Sequence, residues 1–337
     1  MAQCIRSRAP LRIGIAGGGT DVDPYASEKG GCVFNTTINK FAYCTITPRC
    51  DKVMQIQSAY YGRYKAPLDG GPLKLDGNQD LIKAVANHFE IKEGFDMEIR
   101  SDAPAGSGLG GSSTMMVAMI SAVSNWQDKK MSPDEIAQLA YHLERIDIGL
   151  KGGKQDQYAA AFGGFNLMYV DAGGVKVRPI KIRKNVANEL QCRSILCYTG
   201  TSRESAEIID TQIEAFKRGS NEKALDESKR LAKEICEAIK KGDIDAAGTL
   251  LDESWQYKKQ FSDKISNKDL NDLYDKAIAN GAIGGKVSGA GGGGFMYYIC
   301  EYDKKAQVAQ ELQKCGAMVT DFMFEPHGVT SWRGSNE

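Results

Sequence analysis

Three glycine-rich segments, far apart in the chain, constrain its fold and its chemistry more than any other feature. They are residues 17–21 (GGGTD), 104–113 (PAGSGLGGSS) and 288–294 (SGAGGGG). Glycine adopts backbone conformations that other residues avoid, and it lets main-chain N–H groups approach a ligand closely. Rows of such N–H groups bind anions, above all where they begin a helix. We therefore expect the three segments to form one phosphate-binding site.

The size and charge of the chain exclude several classes of protein. Its 337 residues favour two domains. The 43 basic and 43 acidic residues cancel, whereas a nucleic-acid-binding surface is strongly basic. Nine cysteines without a C-x-x-C pair are typical of reduced cytosolic thiols, and three scattered histidines do not suit a zinc site. No apolar run reaches the ~20 residues that span a bilayer, so we expect a cytoplasmic protein with no membrane or nucleic-acid partner. The sequence does not decide the oligomeric state, and a homo-oligomer is compatible with it.

Hydrophobic patterns predict an α+β protein. The predicted strands are at 11–15, 44–47, 53–56 and 95–99. Residues 113–126 are apolar on nearly all sides and predict a buried helix, whereas Ser132, Pro133 and Glu135 predict a capped helix start. The second half predicts helices at 203–218, 222–241, 244–261 and 268–280, then a strand–loop–strand, a helix near 304–315 and a strand near 317–325. We place the domain boundary between residues 1–184 and 185–337.

The middle glycine segment also matches a dinucleotide fingerprint. Residues 106–111 satisfy G-x-G-x-x-G, but that fingerprint requires a βαβ unit. Here the helix after the glycines precedes the helix capped by Ser132, not a strand. A Walker A loop is absent too, because neither Lys154 nor Lys286 is followed by Ser or Thr. The segment is therefore less well explained as the dinucleotide-binding loop of an oxidoreductase than as a loop that binds a triphosphate.

Four side chains near these segments suit phosphoryl transfer. Ser112 and Ser113 would begin the helix, where they are helix caps or hydroxyl partners of a Mg²⁺ ion on the phosphates. Glu144 lies beside the apolar face of the capped helix, as a second Mg²⁺ ligand or a solvated edge residue. Asp156 follows Gly152 and Gly153, and it is either the N-cap of the next helix or a proton acceptor for a substrate hydroxyl.

Together these segments resemble the GHMP kinase superfamily, named for its galactose, homoserine, mevalonate and phosphomevalonate members. The family pattern P-x-x-x-G-L-G-S-S matches residues 104–112, except that Gly111 replaces the first serine, and the third family motif matches residues 286–295. The resemblance implies a two-domain α+β fold with a ribosomal-protein-S5-like N-terminal half and a ferredoxin-like C-terminal half. It also implies ATP and Mg²⁺ as cofactors and a small sugar or sugar phosphate as substrate.

The resemblance assigns roles to the candidate residues. Asp156 matches the catalytic aspartate, and Arg12 matches an arginine that pairs with it in galactokinases. Ser112, with Ser113 as a fallback, and Glu144 match the metal-binding pair. The expected nucleotide-binding residues are Pro104, Gly106, Ser107, Gly108, Leu109, Gly110, Gly111, Ser112 and Ser113.

Differences from the galactokinase sequence motifs limit the range of expected substrates. Asp21 matches their sugar-binding aspartate, but residues 17–19 replace the Gly-Glu-His that contacts galactose. The combination of GGGTD with GGKQDQY looks most like the D-glycero-D-manno-heptose 7-phosphate kinases, which phosphorylate the anomeric hydroxyl. Fucokinases are the nearest competitor, and a catalytically inactive sugar sensor is a further class. The expected substrate-binding residues are Gly18, Gly19, Thr20, Asp21, Gly153, Arg203, Gly289, Gly291 and Gly292, with Arg203 on the substrate phosphate.

Overall fold

The computed structural model describes residues 4–58, 62–201 and 205–334, so Arg203 lies outside the described residues. The strands are β1 (Cys4–Ala16), β2 (Gly31–Pro48), β3 (Val53–Ser58), β4 (Gly62–Pro67), β5 (Phe95–Ser101), β6 (Phe165–Asp171), β7 (Gly174–Pro179), β8 (Ser194–Tyr198), β9 (Ala282–Val287), β10 (Phe295–Cys300), β11 (Met318–Thr320) and β12 (Thr330–Gly334). The helices are α1 (Tyr25–Lys29), α2 (Asp80–His88), α3 (Gly111–Trp126), α4 (Pro133–Tyr141), α5 (Gln155–Phe162), α6 (Lys184–Arg193), α7 (Ser205–Lys217), α8 (Glu222–Lys241), α9 (Ile244–Lys258), α10 (Lys268–Ala279) and α11 (Lys305–Lys314).

The larger sheet is built around the long strand β2. Its strand order is β12-β1-β2-β5-β3-β4, and β6 with β7 continues from the first half of β2. All pairs between the described strands of this sheet are antiparallel except β3 with β5. The chain passes from β5 through the middle glycine segment into α3 and then α4. A βαβ dinucleotide unit is therefore absent after that segment.

The smaller sheet is antiparallel in the order β11-β8-β10-β9. Helices α8 and α9 pack on each other, and they contact β1 and β2 on one side and β9 on the other. Their apolar faces share one core with residues of both sheets, including Ile13, Phe34, Ile235, Leu251 and Tyr297. The end of α9 reaches the first glycine segment, since a Cβ at Gly18 would lie 3.8 Å from Nζ of Lys258.

The C-terminal strand returns to the larger sheet. β12 pairs antiparallel with β1, from Cys4 opposite Gly334 to Arg8 opposite Thr330. The last described residues thus belong structurally with the N-terminal half of the chain. The segment before β12 also bonds to the N-terminal half, through a bridge between Ile38 and Phe324 and through the Val329 N–H, which donates to the Ala160 carbonyl. The boundary between residues 184 and 185 stays a prediction.

The helix start at Ser132 has the predicted geometry. The Ser132 hydroxyl accepts from the Glu135 N–H, and the Glu135 carboxylate accepts from the Ser132 N–H. After Tyr141 the helix α4 widens into a π-helix, His142–Asp147. Such widened turns are frequent at functional sites, and this one carries Glu144.

Candidate active site

The three glycine segments meet at one cleft between the two sheets. Residues from each segment, from the π-helix and its following loop, and from α5, α7 and α9 line it. They include Arg12, Gly19, Asp21, Gly106, Ser107, Gly108, Gly110, Gly111, Ser112, Ser113, Glu144, Arg145, Lys151, Gly152, Gly153, Gln155, Asp156, Gln212, Lys258, Gly289 and Ala290.

Two glycines of the middle segment allow close approaches that a side chain would prevent. Gly108 has φ +82°, and a Cβ there would lie 2.4 Å from the carbonyl oxygen of Ser288. Gly110 has φ +76°, and a Cβ there would lie 3.1 Å from Cγ of Asp156. The segment is therefore held against both the third glycine segment and the start of α5, which explains the demand for glycine.

The N-terminus of α3 opens into this cleft. Gly110 is its N-cap, no side chain caps the helix, and its first turn contains no acidic residue. The first N–H groups of any helix lack partners within the helix, and the helix dipole adds partial positive charge there. With Ser112 exposed, the 16-residue helix presents an anion-binding end to the cleft.

Asp156 is fixed by Arg12. Nε and Nη2 of Arg12 each lie 2.7 Å from Oδ1 of Asp156, and Nη1 donates to the carbonyl of Gly108 at 2.6 Å. The Arg12 side chain is 4% exposed and that of Asp156 is 20% exposed, so the carboxylate keeps access to the cleft. The N-cap of α5 is Lys154, without a side-chain cap. The alternative of Asp156 as a helix cap is therefore wrong.

Glu144 is buried among hydroxyl and amide donors. Its Oε1 accepts from Ser112 at 2.8 Å, and its Oε2 accepts from Ser113 and from Gln157, each at 2.7 Å. The Arg145 guanidinium lies 3.6 Å from Oε1. Because the Glu144 side chain is 1% exposed, the alternative of a solvated helix edge is wrong. Because both serines hydrogen-bond to this carboxylate, each remains a candidate to share a metal ion with it.

Asp21 holds the segment that carries Asp156. Its Oδ2 accepts from the backbone N–H groups of Lys154 and Gln155 at 2.9 and 3.0 Å, and its Oδ1 accepts from the Gly19 N–H at 3.1 Å. Asp21 is 1% exposed, and a Cβ at Gly153 would lie 2.1 Å from its Oδ2. Asp21 therefore acts as a distant cap for the N-terminus of α5, in addition to lining the cleft.

Several predicted residues lie away from the cleft surface. Leu109 belongs to the apolar core, and the Thr20 hydroxyl donates to the Gly17 carbonyl. Gly291 packs on Ile265, whose carbonyl also accepts from the N–H of Gly292. Two others are Pro104, which is exposed at the entrance to the middle segment, and Gly18, which is buried behind Gln155 and Lys258.

Lys258 is a cleft residue that the sequence analysis missed. It is 3% exposed, and its Nζ donates to the carbonyl of Gly289 at 2.6 Å. Burial, and secondarily the nearby Arg12, lowers the pKa of Lys258 to about 8. A signal was present, because Lys258 continues the buried stripe of α9 at helical spacing from Leu251 and Trp255.

Comparison with known proteins identifies the family. The family model "GHMP kinases N terminal domain" matches residues 80–164, and "GHMP kinases C terminal" matches residues 235–317. A D-glycero-alpha-D-manno-heptose 7-phosphate kinase of Campylobacter jejuni is 39% identical, over 98% of this chain and 99% of the relative. The chain belongs to the GHMP kinases. The predicted superfamily and its two-domain α+β fold are confirmed.

Other relatives of this GHMP kinase agree. The crystal structure of a D-glycero-D-manno-heptose 1-phosphate kinase from Bacteroides thetaiotaomicron has a TM-score of 0.83 and 35% identity, covering 98% of this chain and all of the other. An L-fucokinase/L-fucose-1-P guanylyltransferase of Bacteroides fragilis is 27% identical over 93% of this chain, which spans 36% of that longer protein. No helix in the described part of the chain is long and apolar enough to cross a membrane.

Proposed function

We propose that this protein is a cytoplasmic, ATP-dependent sugar kinase that phosphorylates the anomeric hydroxyl of D-glycero-D-manno-heptose 7-phosphate. The product would be the 1,7-bisphosphate, an intermediate suited to nucleotide-activated heptose and surface glycans. The full-length likeness to the Campylobacter jejuni relative supports the sugar. The observation that carries the reaction type is the Arg12–Asp156 pair, which lies against the loop that begins α3.

The transfer follows from the positions of these groups. The triphosphate binds the N–H groups at the start of α3, and the sugar lies on the Asp156 side of the cleft. Asp156 accepts the proton of the anomeric hydroxyl, whose oxygen forms the new bond to the γ-phosphorus. The bond between that phosphorus and the β,γ-bridging oxygen breaks, and ADP leaves with the electron pair. Arg12 keeps the carboxylate of Asp156 in place.

The donors beside α3 suit a magnesium ion. Ser112 Oγ and Glu144 Oε1 are 2.8 Å apart, and oxygen ligands are those that Mg²⁺ prefers. The described residues contain no group of three or more His, Cys, Asp or Glu side chains placed for a metal. Mg²⁺ at phosphates needs only one or two carboxylates, with phosphate and water completing its shell. Ser112 and Glu144 would hold it, and it would neutralise phosphate charge.

Mutation of this pair should change the metal requirement. Glu144→Gln and Ser112→Ala are each expected to raise the Mg²⁺ concentration that gives half-maximal rate, because the first removes the carboxylate charge and the second removes the hydroxyl oxygen. Ser113→Ala is the matched control, since its hydroxyl donates to the other Glu144 oxygen. The measurement is initial rate against free Mg²⁺ at saturating ATP. A shift for Ser113→Ala but not for Ser112→Ala would transfer the metal role to Ser113, and no shift in any variant would contradict the assignment.

The substrate is tested by ATP consumption with a panel of sugars. Heptose 7-phosphate should give a kcat/KM at least tenfold above free heptose, heptose 1-phosphate and L-fucose, because a dianionic phosphate adds charge-assisted hydrogen bonds worth about 1.5–3 kcal/mol each. Transfer to the anomeric oxygen would appear as a second phosphate on C1 in a phosphorus NMR spectrum. Equal values for heptose 7-phosphate and free heptose would contradict the sugar-phosphate assignment, and a preference for fucose would make the protein a fucokinase. No ATP consumption with any sugar would favour an inactive sensor.

A further inference from the structure

The charged side chains around the cleft differ in whether a carboxylate neutralises them. Arg12 pairs with Asp156, and Arg145 lies next to Glu144. Lys151, at the rim, pairs with Asp210. In the described part of the chain Lys258 has no carboxylate within ion-pair distance, and its hydrogen bond is to the Gly289 carbonyl. A buried ammonium without a counter-ion is costly, and an anionic ligand would offset that cost.

The position of Lys258 identifies which part of the reaction it faces. The Nζ atom of Lys258 donates a hydrogen bond to the Gly289 carbonyl. Gly289 in turn touches Gly108 of the middle glycine segment, the proposed nucleotide loop, since a Cβ at Gly289 would lie 2.8 Å from the Gly108 Cα. At this contact Arg12 donates hydrogen bonds to the Gly108 carbonyl and to the Ser288 hydroxyl. The ammonium therefore lies where the nucleotide loop, the third glycine segment and the Arg12–Asp156 pair meet.

We propose that Lys258 is a further catalytic residue, whose ammonium binds the oxygens of the phosphoryl group during its transfer from ATP to the sugar. An ammonium carries three N–H donors, and Gly289 takes one of them. The inference rests on the proposed kinase reaction, because it needs a phosphoryl group passing between the nucleotide loop and Asp156. A fixed positive charge in a site that excludes water stabilises the transferring group most where its charge is spread over its oxygens.

The charges around Lys258 come from several elements. Arg12 on β1 acts against its protonation, whereas Asp21, after β1, and Asp156 on α5 favour it. Lys286 on β9 is near enough for the charge of Lys258 to lower the pKa of Lys286. With the pKa of Lys258 near 8, the free enzyme would lose this charge as the pH rises above 8. The value of kcat/KM reports ionisations of the free enzyme, so it should fall by about tenfold per pH unit there.

The first test compares two buried lysines. Lys258→Met is expected to lower kcat by about 10²-fold, the loss that follows removal of one donor to a transition state. The matched control is Lys83→Met. Lys83 is 1% exposed on α2, pairs with Asp76 and lies outside the cleft, so its loss should leave kcat within about twofold of wild type. Circular dichroism and urea unfolding report whether both variants are folded.

The second test uses the pH profile and needs no large truncation. Lys258→Arg retains a charge that persists above pH 12, so the fall in kcat/KM above pH 8 should disappear, whereas wild type and Lys83→Met should retain it. Three results would overturn the proposal: wild type with no fall between pH 7 and 9, a fall that persists in Lys258→Arg, or a Lys258→Met variant that is folded and changes KM alone.

The outcome for Lys258 is separable from the outcome for the sugar. Both tests are run with whichever sugar the wild-type enzyme phosphorylates, so a preference for fucose would contradict the proposed substrate and leave the Lys258 comparison intact. Normal turnover on heptose 7-phosphate by Lys258→Met would contradict the lysine proposal alone. Failure of the wild type to phosphorylate any sugar would overturn both.

Discussion

Replacing Asp156 with asparagine is expected to lower kcat by about 10²–10⁴-fold and to leave the KM for ATP nearly unchanged. The carboxylate is the proton acceptor that the geometry offers to a hydroxyl in the cleft, and asparagine keeps its size but not its basicity. In the proposed mechanism ATP binds at the N-terminus of α3, which Asp156 does not cap. The change should therefore appear in the chemical step.

The control for this substitution is Asp134→Asn. Asp134 also lies in the first turn of a helix, α4, and it is partly buried, but it is outside the cleft. Its substitution should leave kcat within about twofold of wild type. Steady-state rates and single-turnover phosphoryl transfer are measured for both variants. An Asp156→Asn enzyme with near-wild-type kcat would contradict the catalytic role and leave only the ion pair with Arg12.

The local features of the fold could be predicted because their determinants lie close together in sequence. The capping box at Ser132 and Glu135 spans one helical turn, and it forms as expected. The predicted helices at 222–241 and 268–280 correspond to α8 and α10 within one residue, because long apolar stripes fix their period. The third predicted helix, 244–261, ends as α9 at Lys258 and continues as a short 3₁₀ turn.

Elements whose stability depends on distant partners were not predicted. The strand β12 pairs with β1 across nearly the whole chain, and its sequence TSWRG has no alternating apolar pattern. The helix α6 is mostly polar, yet Val186 and Leu190 anchor it in the core shared by both sheets. In both cases tertiary packing outweighs local pattern, and one sequence does not reveal it.

The candidate site was predicted in part, for the same reason. The glycine segments, together with the resemblance to GHMP kinases, pointed to Asp156, Arg12 and the Ser112–Glu144 pair, and the structure brings these side chains to one cleft. The sequence did not show that the Asp21 carboxylate would accept hydrogen bonds from backbone N–H groups more than 130 residues away. The signal for Lys258, its helical spacing from Leu251 and Trp255, was present in the sequence, but the sequence analysis did not use it.

Replacing Asp21 with alanine is expected to lower the free energy of unfolding by about 3 kcal/mol and to reduce kcat as well. Three backbone N–H groups would lose their acceptor: that of Gln155, which is buried, and those of Gly19 and Lys154, which are partly buried. Each buried donor left unsatisfied costs about 1–3 kcal/mol. The rate should fall because the start of α5 carries Asp156, and release of this turn loosens the position of that carboxylate.

An ordinary helix cap provides the scale for this effect. Asp243 accepts from the Ala246 N–H at the start of α9 and is exposed, so Asp243→Ala should cost about 1 kcal/mol without affecting kcat. Urea unfolding of the two variants gives the comparison directly, with equal m-values as the condition for a valid difference. The similarity to galactokinases assigns Asp21 to the sugar instead. If Asp21→Ala keeps its stability and raises only the KM for the sugar, the result supports sugar binding and contradicts the capping role. If the variant loses much of its stability and its kcat also falls, the result is the one that a buried distant cap requires.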